Sequence, residues 1–170
     1  IISNNASGMS CGIHANSSAT IESARLILAD GTLLDTASNK SREKFLKAKP
    51  KLVATLKRIR EDIGSSPELV EKIRKKYSIK NTTGYGMNSL LDFDDPVDII
   101  LHLMVGSEGT LGFISEATFR TIPVLPFRAS SLIYFKDLES ACDAVPLLRK
   151  ARLPAIEIMD REALRSVENN

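Results

Sequence analysis

Glycine and hydroxyl residues are concentrated in one short stretch, VGSEGTLGFISEATFRTIP, which runs from Val105 to Pro123. Such residues offer two kinds of chemistry. Glycines permit the positive φ angles of a turn before a strand. A backbone without side chains also lets a flat or phosphorylated ligand lie against its N–H and C=O groups. On its own, this stretch leaves both interpretations open.

Thiol and imidazole groups are the other candidates for chemistry, but they are sparse. Cys11 and His14 are three residues apart, and the chain has only one further member of each type, Cys142 and His102. Two more ligands at zinc spacing are missing, so no metal site is predicted. The two cysteines are far apart in sequence, which is weak evidence for a disulfide, and we expect each to be a small buried side chain.

Length and composition indicate an ordinary globular protein. The 170 residues suit one domain or one and a fraction, with 43% apolar and 26% charged residues. Trp is absent and aromatic residues make up 5%, which leaves little for stacking on nucleic acid. The longest apolar stretch, PVDIILHLMVG, is shorter than the roughly 20 residues that span a bilayer. The first residues, IISNNASG, lack a Met and a signal pattern, so we expect the chain to continue upstream.

Two regions have strand patterns. An Asp-Gly pair, Asp30-Gly31, separates the apolar runs of Ile21 to Asp35, which predicts a β-hairpin. Alternation from Phe113 to Ile122 predicts a strand with one largely apolar face. The alternate positions of that strand are Phe113, Ser115, Ala117, Phe119 and Thr121.

The region from Ser38 to Lys80 is strongly basic. It holds fourteen Lys or Arg and five Asp or Glu, against nine and sixteen in the rest of the chain. Two amphipathic helices are predicted here, the first ending at Gly64 and the second capped by Ser66 with Pro67 in its first turn. Their apolar stripes are Leu52, Leu56, Ile59 and Ile63, then Leu69, Ile73 and Tyr77. A nucleic-acid surface is one interpretation; we favour a solvated helical insertion.

The remaining elements follow from capping signals. Asp95 and Pro96 are placed to begin a helix over Val97 to Met104. After Arg128 the pattern changes to strand, helix, strand, helix, which resembles part of a ferredoxin-like unit, and we place a domain boundary near Pro126. The predicted elements are the strand ASSLIYF, a helix from Leu138 to Ala151 opened by Asp137, the strand AIEIM and a helix opened by Asp160.

Three segments in this order carry a resemblance to a known family. They are NNASGMSCG from Asn4, ILADGTLLDT from Ile27, and TTGYGMNSLL followed by VGSEGTLGFISEATFRTIP from Thr82. Together they resemble the FAD-binding half of the glycolate oxidase subunit and D-lactate dehydrogenase family, with the vanillyl-alcohol oxidase type fold. The resemblance implies an α+β fold.

It also implies the domain organisation. Residues 1–126 would form the second FAD-binding subdomain, a mainly antiparallel sheet with flanking helices and a basic helical insertion at 38–80. Residues 127–170 would begin a ferredoxin-like C-terminal cap domain. The insertion is typical of larger family members that also carry iron–sulfur modules, but the chain has no cysteine cluster for one.

The resemblance further implies FAD as the cofactor. The segment matching Asn4 to Gly12 would run beside the flavin and pyrophosphate, and the segment matching Gly109 to Ile114 along the ribose and adenine. The implied cofactor-binding residues are Asn5, Ala6, Ser7, Gly8, Cys11, Gly12, Gly109, Gly112, Phe113 and Ile114. Glu108 is expected to be structural, as are His14 and His102, and the resemblance assigns no catalytic residue within this chain.

The implied function is oxidation of a D-2-hydroxy acid of the D-lactate, glycolate or 2-hydroxyglutarate class, by hydride transfer to flavin N5. The small-molecule acid and an electron acceptor, such as a quinone or cytochrome, would be the partners, with no nucleic acid. The expected location is the cytoplasm, or the inner face of the membrane as a peripheral protein. Two alternatives stay open: another flavin oxidoreductase on the same fold, such as an alcohol or sugar oxidase or a cell-wall precursor reductase, and a basic nucleic-acid-interacting domain.

Overall fold

The computed structural model describes residues 1–124, 126–151, 153 and 155–168. The chain divides into two compact units between Ile122 and Pro123. The predicted boundary was near Pro126, and the predicted identities of the two parts stay predictions. At the level of fold class the described chain is α+β, with a small antiparallel sheet and flanking helices, as predicted.

The first unit begins with two short 3₁₀ turns and contains all three described strands. The turns are Ile2–Asn4 and Met9–Cys11. The elements that follow are α1 (Ser17–Thr20), β1 (Ile21–Leu28), β2 (Leu33–Asp35), α2 (Asn39–Ala48), α3 (Pro50–Gly64), α4 (Pro67–Tyr77), α5 (Ser89–Asp92), α6 (Pro96–Met104) and β3 (Gly112–Phe119).

The sheet has the order β2-β1-β3, and both strand pairs are antiparallel. The hairpin predicted from Asp30-Gly31 is confirmed. Gly31 has a φ of 79°, and Asp30 Oδ1 accepts a hydrogen bond from the N–H of Thr32 at 3.1 Å. This local chemistry turns the chain so that Leu26 pairs with Leu34, and both side chains are fully buried.

A β-bulge corrects the predicted face of β3. Arg25 pairs with Glu116 whereas its neighbour Leu26 pairs with Ile114, so one extra residue is inserted in β3. The side-chain phase therefore changes along the strand, and Ile114 and Ala117 pack against the core. Phe113 is 65% exposed, so the predicted apolar face through Phe113 and Ala117 is wrong.

Helix α6 lies at the centre of the core. As predicted, Asp95 caps it by accepting from the N–H of Val97 at 2.7 Å, and Pro96 occupies the first turn. Most of its residues are buried, namely Pro96, Val97, Ile99, Ile100, Leu101 and Met104. A helix that is apolar on nearly all sides must be covered on nearly all sides, and the sheet and the basic helices pack around it.

The basic region forms three helices, one more than predicted. The two predicted helices are confirmed as α3 and α4, with Ser66 capping α4 through the N–H of Leu69. The third, α2, is capped by Ser38, and its Phe45 is 2% exposed. Phe45 joins Leu56 and Ile63 in the same core as α6. Through these apolar side chains the helices supply part of the core of the first unit.

The second unit contains two described helices, α7 (Leu138–Lys150) and α8 (Arg161–Arg165). Asp137 and Asp160 cap them as predicted, by accepting from the N–H groups of Ser140 and Ala163. The predicted strands ASSLIYF and AIEIM are not formed, and no described residue of this unit lies in a strand. Cys142 is exposed and Cys11 is only half-buried, so the expectation that each cysteine is buried is wrong.

Candidate functional site

The first and last of the family-like segments lie side by side. The N–H of Glu108 donates to the carbonyl of Ser3 at 2.8 Å, and the N–H of Gly106 donates to the carbonyl of Ile2 at 3.3 Å. More than one hundred residues separate these partners in sequence. Backbone hydrogen bonds therefore fix the position of the N-terminal segment against the glycine-rich loop that follows α6.

The glycine-rich loop, Val105 to Leu111, is held by its own turn. Its backbone has positive φ at Gly106 (86°), Glu108 (51°) and Gly109 (77°). Thr110 closes the turn, since both its N–H and its hydroxyl donate to the carbonyl of Ser107, at 3.0 and 2.6 Å. The exposed Glu108 contributes through its backbone in these contacts. The turn thus displays an open backbone on its outer side.

The segment TTGYG reaches the same loop. Tyr85 Oη lies 2.8 Å from Thr110 Oγ1. At the end of α4, the hydroxyl of Tyr77 donates to the carbonyl of Tyr85 at 2.7 Å and accepts from the N–H of Met87 at 3.0 Å. A Cβ on Gly106 would lie 3.3 Å from the carbonyl oxygen of Gly84. The three segments therefore converge on one region of the first unit.

Lys80, at the start of the segment that leads to TTGYG, makes a further contact with the N-terminal segment. Its Nζ donates to the carbonyl of Ser7 at 2.7 Å and lies 3.4 Å from that of Gly8. The hydroxyl oxygen of Ser7 is buried and makes no hydrogen bond to the described residues, and the same is true of Ser107. A buried hydroxyl without a partner is uncommon and calls for an explanation.

A cleft of about 390 Å³ opens between these segments. Amide and hydroxyl side chains dominate its polar lining, which includes Asn5, Asn16, Ser18, Asn81, Thr82 and Asn88. Tyr77 and Phe93 contribute aromatic surface, and Gly84, Gly86 and Gly106 contribute backbone. Uncharged hydrogen-bonding groups beside aromatic surface suit a flat polar ligand.

Two oppositely charged side chains, Arg74 and Asp92, and the imidazole of His102 border the cleft. Arg74 forms an ion pair with Asp92, so its charge is locally balanced. The His102 ring stacks on Phe93 at a centroid distance of 3.9 Å, and its Nδ1 lies 2.9 Å from the carbonyl oxygen of Asp98. Burial lowers the pKa of His102 below its usual value. The imidazole is therefore neutral at neutral pH.

Of the residues predicted to bind the cofactor, Asn5 lines the cleft. It is buried, has a left-handed φ of 50°, and accepts from the N–H of Ser18 at 3.3 Å. The others do not line this cleft, and they are Ala6, Ser7, Gly8, Cys11, Gly12, Gly109, Gly112, Phe113 and Ile114. Their role in cofactor binding stays a prediction.

Three of these predicted residues make sheet contacts. Gly112, Phe113 and Ile114 pair with Leu28, Ile27 and Leu26 of β1. A Cβ on Gly112 would approach the carbonyl oxygen of Ile27 to 2.7 Å, closer than a real Cβ can come. The close approach of β1 is thus sufficient to require glycine at this position.

Sequence reasoning missed several residues that shape the region. Tyr77 was assigned only to the apolar stripe of its helix, and Lys80 and Thr110 were given no role. Tyr85 lies within the TTGYG segment, which is a signal that could have found it. The others act through contacts between distant segments, for which a single sequence carries no periodic signal.

Parts of this region fit a dinucleotide. Gly12, Gly84 and Gly109 have positive φ, and an added Cβ at each would meet nothing within 4 Å. Their backbone is thus open to a ligand that must approach closely.

Among the described residues no group of three His, Cys, Asp or Glu side chains could hold a metal ion. Within the same residues, no helix is long and apolar enough to cross a membrane.

Comparison with known proteins gives relatives of two kinds. The chain is 35% identical over 88 residues to a D-lactate dehydrogenase of Archaeoglobus fulgidus, which covers 51% of the chain and 17% of that protein. It is 38% identical over 71 residues to a D-lactate dehydrogenase of Anaerostipes hadrus, which covers 41% of the chain and 15% of that protein. A D-2-hydroxyglutarate dehydrogenase of Haemophilus influenzae is 24% identical to the chain over 168 residues, which covers 96% of the chain and 16% of that protein.

No family model and no solved structure matches the chain. The chain spans about one sixth of the length of the curated relatives. The resemblance derived from the three segments is confirmed: this chain is homologous to part of the D-lactate and D-2-hydroxyglutarate dehydrogenases.

Proposed function

We propose that this chain supplies part of the FAD-binding surface of a dehydrogenase that oxidises a D-2-hydroxy acid. The observation that carries the proposal is the convergence of the first and third family-like segments, the third of which contains both TTGYG and the glycine-rich loop. Contacts at Ser3 to Glu108, Tyr85 to Thr110 and Lys80 to Ser7 join them around one cleft. Segments that are far apart in sequence but meet at an open backbone surface are expected where a long cofactor binds.

The chemistry of the exposed groups suits FAD. Gly12, Gly84 and Gly109 leave backbone uncovered, so that its N–H and C=O groups can meet the cofactor. The predicted cofactor-binding residues from Asn5 to Gly12 would hold the flavin and pyrophosphate, and those from Gly109 to Ile114 the ribose and adenine. When bound, FAD would supply the oxidant that accepts the α-hydrogen of the hydroxy acid as hydride.

The residues of this chain would bind and orient rather than move protons. His102 is stacked on Phe93 and engaged with the Asp98 carbonyl, so its neutral ring would serve as a wall of the cleft. Asn5 is held by Ser18 and would present its amide there. The proton of the substrate hydroxyl would be taken by a base outside this chain, and an electron acceptor would reoxidise the flavin.

The basic nucleic-acid-interacting alternative is less well supported. Three of the arginines that give the helices their charge pair with aspartates of the same unit, Arg42 with Asp98, Arg60 with Asp94 and Arg74 with Asp92. Lysine and arginine side chains bind nucleic acid by neutralising its phosphates, which releases counterions from the nucleic acid. An arginine that is already paired with an aspartate is less available for this contact. No specific observation favours an alcohol oxidase, a sugar oxidase or a cell-wall precursor reductase over the 2-hydroxy-acid dehydrogenase.

The experiment is an assay of the full-length protein that contains this chain. The purified protein should show the absorption spectrum of bound flavin. D-lactate, glycolate and D-2-hydroxyglutarate should be tested for anaerobic bleaching of that spectrum, with L-lactate and L-2-hydroxyglutarate as matched controls. We expect bleaching by at least one of the first three acids, and by the D rather than the L form where the acid is chiral.

Two results would contradict the proposal. A full-length protein that folds but binds no FAD would remove the cofactor assignment. Bleaching by simple alcohols or sugars, with none by any hydroxy acid, would instead support a sibling flavin enzyme.

A further inference from the structure

A chain of contacts made by three hydroxyl groups joins helix α4 to the glycine-rich loop through the backbone and the side chain of Tyr85. Tyr77 contacts the backbone of Tyr85 at 2.7 Å, the hydroxyl of Tyr85 contacts Thr110 at 2.8 Å, and Thr110 contacts the carbonyl of Ser107 at 2.6 Å. The chain thus spans three segments that are distant in sequence. It begins on a basic helix and ends on the loop proposed to bind FAD.

The direction of every bond in this chain is determined. A hydroxyl has one proton to donate. The proton of Thr110 is used on the carbonyl of Ser107, so Tyr85 must be the donor in its bond to Thr110. The proton of Tyr77 is used on the carbonyl of Tyr85, and the N–H of Met87 donates to the Tyr77 oxygen. Tyr77 and Thr110 each accept one of these bonds and donate another, and the two bonds at each hydroxyl polarise one another.

We propose that Tyr77 and Tyr85 are positioning residues, through which the basic helix α4 sets the glycine-rich loop in its ligand-binding position. The identity of the ligand rests on the proposed function, whereas the mechanical link does not. The basic helices thereby acquire a role beyond covering the core: α4 determines where the loop backbone lies.

The surroundings of the chain support a positioning role. Tyr77 is half-buried at the last position of α4 and also lines the cleft, so its ring is fixed between helix and cleft. The segment that it holds, 81–88, contains no residue in a helix or strand. Without the Tyr77 hydroxyl, the Tyr85 carbonyl and the Met87 N–H would lose the contact that ties them to α4.

The first test measures amide hydrogen exchange in the full-length protein without added FAD. Tyr77→Phe removes one of the two oxygens that accept from the Met87 N–H, the other being the Tyr85 carbonyl at 2.8 Å. It should speed exchange of Met87, and it should also speed exchange of the peptide 105–112 by about fivefold, the factor expected for one hydrogen bond. Tyr134→Phe, at an 81% exposed tyrosine, is the matched control and should change neither. Faster exchange at Met87 with an unchanged peptide 105–112 would overturn the proposal.

The second test is a double-mutant cycle on the FAD dissociation constant. Tyr85→Phe should weaken FAD binding by about fivefold, and Thr110→Val by at least that factor, because Thr110→Val removes the same bond and also the bond to the Ser107 carbonyl. If the shared bond positions the loop, the double variant should be no weaker than Thr110→Val alone. Thr118→Val, at an exposed threonine of β3, is the control and should bind FAD as the wild type does.

The outcomes separate this proposal from the proposed function. Losses in the two single variants that multiply in the double variant would show independent effects and overturn the positioning chain. Variants that bind FAD as the wild type does would overturn it as well. A wild type that binds no FAD would defeat the proposed function, while the exchange experiment would still decide the link between Tyr77 and the loop.

Discussion

Arg42 of helix α2 donates a hydrogen bond to Asp98 in the first turn of α6, with 2.8 Å between Nη1 and Oδ1. The same guanidinium lies 3.2 Å from Asp95, the cap of α6, and donates to the carbonyl of Thr36 at 3.1 Å. The bond to Asp98 raises the pKa of Arg42 above its usual value. One arginine thus joins a basic helix to the start of the helix that leads into the glycine-rich loop.

This pairing is repeated along the acidic segment LDFDDPVD. Arg60 of α3 pairs with Asp94, and Arg74 of α4 pairs with Asp92. Each of the three basic helices therefore contributes one arginine to one short acidic segment. The charge asymmetry noted in the sequence is partly a set of complementary contacts within the unit.

The Arg42 contact should contribute measurably to stability. Replacing Arg42 with Met keeps most of the apolar stem and removes the hydrogen bonds, leaving Asp98 partly buried without its cation. We expect the free energy of unfolding, measured by urea titration, to fall by about 1 to 3 kcal/mol. Lys44→Met, at an exposed residue of the same helix, is the control and should change it by less than about 0.5 kcal/mol. Equal losses of stability in Arg42→Met and Lys44→Met would show that the Arg42 hydrogen bonds do not stabilise the fold.

Gly112 is expected to be essential for the sheet itself. In Gly112→Ala the new Cβ would meet the Ile27 carbonyl at 2.7 Å, so β1 and β3 would have to separate. We expect a loss of about 1 to 3 kcal/mol in the free energy of unfolding. Gly64→Ala, at a helical glycine with nothing within 4 Å, should be neutral or slightly stabilising. A stable Gly112→Ala protein with weakened FAD binding would instead favour a direct cofactor role.

His102 should make stability depend on pH. Burial lowers the folded pKa below the unfolded value of 6.5, so at acidic pH the unfolded chain binds a proton that the folded chain resists. Stability is therefore fully present above pH 6.5 and declines as the pH falls through the unfolded pKa toward the lower folded one.

The measurement is urea unfolding at a series of pH values from 8 to 5. His102→Gln should flatten the decline that begins near the unfolded value of 6.5, because it removes the titrating group. His14→Gln, at an exposed histidine, should keep the decline. If the wild type and His102→Gln showed the same pH dependence, the burial of His102 would not be the cause of the decline in stability.

Local signals made the helices and the hairpin predictable. Asp30-Gly31 predicted the turn, and the caps at Ser66, Asp95, Asp137 and Asp160 predicted four helix starts, because the responsible atoms lie within three residues of one another. Helix α2 was missed because only Phe45 and its neighbour Leu46 mark its apolar side.

Contacts between distant segments could not be predicted in the same way. The bulge that changes which side chains of β3 face the core depends on the register of β3 with β1. The segment ASSLIYF has a strand pattern, but it pairs with no strand among the described residues. Two of the three segments that carry the resemblance meet at the cleft, whereas the remaining one, ILADGTLLDT, forms the hairpin of β1 and β2 and does not line it. The resemblance carried no information on Tyr77, Lys80 or the arginine pairs, which depend on how helices pack in this chain.

The two classes of basic residue on α2 to α4 should respond differently to charge reversal. Lys57, Arg58 and Lys75 are exposed, and exposed charges contribute little to stability. Changing all three to Glu should leave the urea midpoint and FAD binding nearly unchanged. Changing Arg42, Arg60 and Arg74 to Glu alters the net charge equally but places like charges against Asp92, Asp94 and Asp98. That variant should lose about 3 kcal/mol or more.

A nucleic-acid titration of the same two variants tests the remaining alternative. If the basic helices bound phosphates, the wild type would show an affinity that falls steeply with salt, and reversing Lys57, Arg58 and Lys75 would abolish it. We expect no such affinity in the wild type, because three arginines of these helices are engaged by the acidic segment. A salt-sensitive affinity that disappears only in the exposed-charge variant would assign the surface lysines to nucleic acid, and a collapse of both variants would show that the surface charges also support the fold.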